Sequence, residues 1–158
     1  MLFQIEEPDG SPLGEPEGAG VAIGVDLAGP RAMVAVAVGG NAEILPAPDG
    51  SPGPETSALR GAGGGFDPPA VATALLTLRG RAERALGRPV THAVIAVAAP
   101  LDAAGRALLI SAGAVSGLQV TRVLAAEEAV ELGGSAANAA AHGAAIAAED
   151  DASLAARP

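Results

Sequence analysis

Apolar residues in this chain gather in short runs separated by turn residues, and the spacing inside the runs changes along its length. "VAIGVD" at 21–26 is nearly continuous in small apolar residues, the pattern of a strand buried on both faces. "MVAVAV" at 33–38 has the same character, and "NAEIL" follows a Gly39-Gly40-Asn41 junction that suits a hairpin, because Gly and Asn tolerate positive φ. Over 66–87 the spacing switches to three and four. Val71, Leu75, Leu78, Ala82 and Leu86 then share one helix face, with Asp67 placed to cap, Pro68-Pro69 in the first turn and Gly87 as the stop. "VTHAVIAVAA" (90–99) predicts a strand and "LDAAGRALLISAGAVSG" (101–117) a helix capped by Asp102 and stopped at Gly117. "LQVTRVLA" (118–125) predicts a short strand and "EEAVEL" the start of a helix. After a break at Gly133-Gly134-Ser135, residues 136–149 predict a final helix.

The remaining segments carry little to bury. Residues 1–18 read as a flexible leader of Pro, Gly and acids, 46–66 as a long loop rich in Pro, Gly and Ser, and 150–158 as a frayed tail. The folded unit is expected at 19–149. The order β-β-β-α-β-α-β-α-α predicts an α/β fold, a mixed sheet of about five strands flanked by helices. That succession is the one found in ribonuclease H-like and actin-like half-lobes, a fold that serves more than one chemistry.

Composition narrows the function classes. Only Phe3 and Phe66 are aromatic among 158 residues, so the core rests on Ala, Val, Leu and Ile. An Ala methyl contributes only about 0.8 kcal/mol where a buried Leu or Ile contributes roughly 1.5–3, which predicts modest stability. Nine basic residues, all arginine, face eighteen carboxylates for a net charge of −9. That balance argues against nucleic acid and against an anionic membrane surface. Without cysteine there is no disulfide, thiolate nucleophile or cysteine metal site. The N-terminal residues carry no secretory pattern and no run is long enough to span a bilayer, so a cytoplasmic protein is expected. The Ala-, Gly- and Arg-rich, lysine-free composition fits high-GC codon usage as easily as a selected role.

"VAIGVDLAGPRAMVAVAVGGNAEILPAPDG" resembles the opening of the seventy-kilodalton heat-shock chaperones, whose pattern is Gly-Ile-Asp-Leu-Gly-Thr-Thr-Asn-Ser. "RAERALGRPVTHAVIAVAAPLDAAGRALLISAGAVSGLQVTRVLAAEEAVELGG" is similar to the family's central stretch, and "AHGAAIAAE" resembles its last nucleotide-domain helix. The leader "LFQIEEPDGSP" most resembles the HscA-like iron–sulfur-cluster-assembly branch. The family's second phosphate loop, second lobe and client-binding β-sandwich have no counterpart in the sequence. The resemblance therefore implies a severely truncated member, reduced to part of the first nucleotide-binding lobe.

The resemblance also implies a site for ATP and Mg²⁺ at Gly24, Asp26 and Gly29, with Asp26 orienting the metal through water. Backbone amides and hydroxyls are the chemistry that cradles phosphate. Here the family's Gly-Thr-Thr is replaced by Ala28-Gly29-Pro30, which removes two hydroxyls and one N–H, although Arg31 returns a positive charge. The plain alternative is a strand ending in a turn, with Asp26 hydrogen-bonded locally. The family's catalytic lysine has no counterpart, and its water-placing Glu aligns with Ala126, one residue before Glu127. Glu127 and Glu128 read as first-turn acids of a helix. No catalytic residue is assigned, and ATP hydrolysis is expected to be lost.

A ribonuclease H-like nuclease would need Asp26 with Asp102 or Glu127 around two metals, and the acidic charge opposes its substrate. His92 reads as a strand-edge residue and His142 as a surface helix residue. The expected role is protein binding or scaffolding, with iron–sulfur-assembly or chaperone components as partners, or self-association. The alternative is an ATP-binding chaperone whose missing lobe comes from self-association or a partner.

Overall fold

A computed structural model describes residues 21–47, 49–63, 65–133 and 139–155. The leader 1–18 and the Gly134-Ser135 part of the predicted break lie outside the described residues. Five strands form one sheet: β1 (Val21–Asp26), β2 (Met33–Val38), β3 (Asn41–Ile44), β4 (Val90–Val97) and β5 (Gln119–Ala125). Their order is β3-β2-β1-β4-β5. β1–β2 and β2–β3 pair antiparallel, while β1–β4 and β4–β5 pair parallel. Helices α1 (Pro68–Leu86), α2 (Ala103–Val115), α3 (Ala126–Gly133) and α4 (Ala139–Ala155) complete the chain. The expected mixed sheet flanked by helices is thus present.

Local punctuation acts as the sequence predicts. Gly39 and Gly40 have φ of 61° and 84° and form the two-residue turn that lets Val38 pair with Asn41. The Asp67 carboxylate accepts from the Ala70 amide at 3.2 Å, and Asp102 accepts from Gly105 at 2.8 Å. His92 stands in β4, an interior strand, opposite Gln119 of β5, so it is not at a sheet edge.

The two faces of the sheet are packed by different chemistry. Alternation sends Ile23, Val25, Val34, Val36 and Ile95 to one face, where Val71, Leu75 and Leu78 of α1 and Leu109 of α2 cover them. Ala35, Ala37, Val94 and Ala96 point to the other, against Ala141, Ala144, Ala145 and Ala148 of α4. Gly24 lies on this second face. A Cβ there would collide with the backbone nitrogen of Ala145, so α4 runs directly on the strand. Gly143 meets the Ala129 carbonyl of α3 in the same way.

Two segments are more ordered than their composition suggests. Within 46–66 the chain forms a 3-10 turn at Thr56–Leu59 and isolated bridges Arg31↔Glu55 and Arg60↔Phe66. Leu59 and Phe66 are buried anchors, and the Arg60 guanidinium lies 4.3 Å from the Phe66 ring centre. The tail expected to fray from residue 150 instead continues α4 through Ala155. Asp151 holds it by accepting from Thr121 (3.0 Å) and pairing with Arg122 of β5. At the other end of the sheet, Glu149 accepts from the Gly39 and Gly40 amides at 2.6 and 2.9 Å.

Opposite substitutions should hurt the two faces. Gly24→Ala adds one methyl where there is no space and should cost about 3 kcal/mol in urea unfolding. Leu75→Ala removes volume and should cost about 2–5 kcal/mol. A Gly24→Ala protein as stable as the parent would mean that α4 does not seat on β1 as described.

Candidate functional site

β1, β4 and β5 run parallel, so their carboxyl ends share one edge of the sheet, with Asp26 level with Ala96 and Ala96 level with Leu124. After β1 the chain turns to β2 on one side, and after β4 it crosses through α2 to β5 on the other. That divergence falls between the ends of β1 and β4, the place where open α/β sheets bind ligands in a crevice.

The turn after β1 stands at this place and is closed on itself. The Leu27 amide donates to the Ala96 carbonyl at 2.8 Å, extending the ladder by one residue. Ala28 donates to Asp26 Oδ1 at 2.7 Å, and the Gly29 amide faces the same carboxylate and helps to stabilise its charge. Pro30 has no N–H to offer. Ala32 donates to the Pro54 carbonyl at 2.7 Å. This leaves for a ligand the Arg31 amide, and that of Gly29 only in competition with Asp26.

Two carbonyls of the turn are claimed as well. Thr56 donates its hydroxyl to Gly29 at 2.6 Å and its amide to Pro30 at 3.0 Å. Arg31 donates to the Gly53 carbonyl at 3.1 Å and pairs with Glu55 at 3.2 Å. Sequence reasoning missed Thr56, Gly53 and Glu55. They lie more than twenty residues downstream of the turn in a segment with no periodic signal, and only the fold brings them back.

The other predicted residues do not converge on Asp26. Gly29 shares its turn, but Gly24 is two residues back in the strand, under α4. Asp102 is spent on the start of α2 and Glu127 is exposed in the first turn of α3. Glu128 accepts from the Ala125 amide at 3.1 Å, the ordinary work of a helix-start acid. His142 is half-buried on α4. Among the described residues no group of three or more His, Asp or Glu side chains is placed to hold a metal.

Asp26 is only 4% exposed. Burial pushes its carboxyl above the ordinary 3.8, and the Ala28 and Gly29 amides offset this in part. Folding therefore favours the protonated form, and ionised Asp26 costs stability at neutral pH. The cost disappears as pH falls below the unfolded value. Asp26→Asn, which keeps the acceptor for Ala28, should raise Tm by a few degrees at pH 7. The gain should fade near pH 3.8, and a gain independent of pH would place its origin elsewhere.

A family model described as "Hsp70 protein" matches residues 49–134, from the clamping segment through α1, β4, α2, β5 and α3. The turn at 24–31 lies before the matched span. No curated protein matches the chain. Among the described residues no helix is long and apolar enough to cross a membrane. The matched span is more than half of the 158 residues and holds two strands and three helices of a fold whose five-stranded mixed sheet is of the actin-like, ribonuclease H-like kind; the chain belongs to the Hsp70 family.

Proposed function

We propose that this chain is an Hsp70-family half-lobe that has exchanged nucleotide hydrolysis for a protein-binding or scaffold role. The observation that carries the reading is the closed turn at Leu27–Ala32. Phosphate is held by free amides, hydroxyls and cations, and here the amides of Leu27, Ala28 and Ala32 are already bonded and that of Gly29 faces the Asp26 carboxylate. Arg31 is paired with Glu55 and the chain contains no lysine. Phosphoryl transfer is almost wholly positioning and charge stabilisation, so a turn stripped of donors has little to contribute.

The residues that remain fit Mg²⁺ and ATP poorly. Asp26 alone retains a metal-orienting carboxylate, and it is directed into its own turn. The likeness of the leader to the HscA-like branch favours iron–sulfur-assembly or chaperone components as partners, in a cytoplasmic setting. A second reading is favoured by the retention of Asp26 in a position that costs stability. In it the chain is an ATP-binding chaperone, active in protein folding or iron–sulfur-cluster assembly, and the rest of the cleft comes from self-association or from a partner.

Calorimetric titration with ATP·Mg²⁺, with Asp26→Ala as control, separates the readings. The expected result is an affinity no tighter than about 1 mM. Micromolar binding that is lost in Asp26→Ala would overturn the first reading in favour of the second.

A further inference from the structure

Arg81 is a buried cation whose charge is felt by the Asp49 carboxylate but which no ion pair holds among the described residues. Its residue is 8% exposed, and among the described residues no hydrogen bond or ion pair reaches its guanidinium. An arginine does not escape burial by losing its proton, so an unpaired guanidinium held out of water is costly unless an anion joins it. Arg81 lines a depression of about 330 Å³ between α1 and the segment after β3. Thr77, Arg81 and Arg84 contribute the helix side, one face at spacings of four and three, and Ala47, Asp49 and Ser51 the other.

The polar groups around the depression divide clearly. The Thr77 hydroxyl donates to the Thr73 carbonyl at 3.1 Å. Asp49 is exposed at the rim and is occupied by Ser51, whose amide donates to it at 3.0 Å. The Asp49 carboxylate feels the charge of Arg81 but lies beyond ion-pair distance. The donors left over are the guanidinium groups of Arg81 and Arg84. Two forked cations, one of them shielded from water, match the geometry and charge of a tetrahedral oxyanion.

We propose that this depression is a phosphate-binding site, taking inorganic phosphate or the phosphate group of a small phosphomonoester. It is separate from the turn at Asp26 and does not depend on how that turn is read. Its two sources share the oxyanion, and the volume leaves room for a short carbon skeleton beside it.

The test is a titration of the full chain with inorganic phosphate at fixed ionic strength, followed by amide NMR and calorimetry, and repeated with glycerol phosphate. Saturable shifts at Ser51 and Thr77 are expected. Arg81→Met should weaken binding about tenfold to a hundredfold, the loss of a charge-assisted bond in a shielded place. Arg81→Met should also raise Tm in the absence of phosphate, because it removes the unpaired charge. Arg84→Gln, at an exposed position, should weaken binding less without disturbing the fold, and Asp49→Asn should tighten it. Tighter binding of glycerol phosphate than of phosphate would assign the site to an ester; the reverse would assign it to the free ion. No saturable change with either probe, or equal affinity in the parent, Arg81→Met and Arg84→Gln proteins, would overturn the proposal.

Discussion

The structure depends on how closely α4 can approach the sheet. A helix normally stands off from a sheet by the length of the side chains between them. Here the sheet contributes Gly24, Ala35, Ala37 and Ala96 beside Val94 and Leu124, and α4 contributes a row of alanines, so at Gly24 backbone meets backbone. Everything on that side follows from this approach. α3 must slide in beside α4, which requires Gly143 against the Ala129 carbonyl, and the far end of α4 arrives where Glu149 reaches the hairpin amides and Asp151 reaches Arg122. A composition that codon usage alone would explain is, at these positions, a steric requirement.

The opposite face works by volume. Val, Leu and Ile from β1, β2, β4, α1 and α2 supply most of the area removed from water, and each large side chain contributes more than an alanine can. One sheet thus divides its labour, one face supplying most of the burial and the other setting the positions of α3 and α4. Asp26 lies at the strand end between these regimes, deep enough to be desolvated and, among the described residues, bonded only within its own turn.

What was legible in the sequence was whatever is decided locally. Strand limits at Asp26 and Val38, the Asp67 and Asp102 caps and the two-glycine hairpin depend on neighbours within a few residues, and they appear where the pattern puts them. The order within 46–66 was hidden because its determinants are distant: Thr56 bonds Gly29, Glu55 pairs with Arg31, and Gly53 sits under the Ala32 carbonyl. The extension of α4 depends on Asp151 meeting Arg122, twenty-nine positions earlier. At the candidate site, Asp26 and the loss of hydroxyls could be read directly. The closure of the turn could not, because the residues that close it belong to a stretch whose composition resembles a linker. Arg81 gave no signal either, since an arginine beside a helix's apolar stripe ordinarily extends its head into water.

The place of α4 in the chain has a consequence for synthesis. The strands leave the ribosome first, and the face that α4 covers stays open until residues 139–155 have followed. Most sheets left half-covered at that stage would expose a broad oily surface and invite pairing with other chains. This one exposes a centre of alanine methyls and glycine backbone, with larger side chains only at Val94, Leu124, Met33 and Ile44, which offers a wrong partner less area than the opposite face would. The close fit that makes the finished molecule intolerant of a single added carbon also makes the unfinished one a poor target for misassociation.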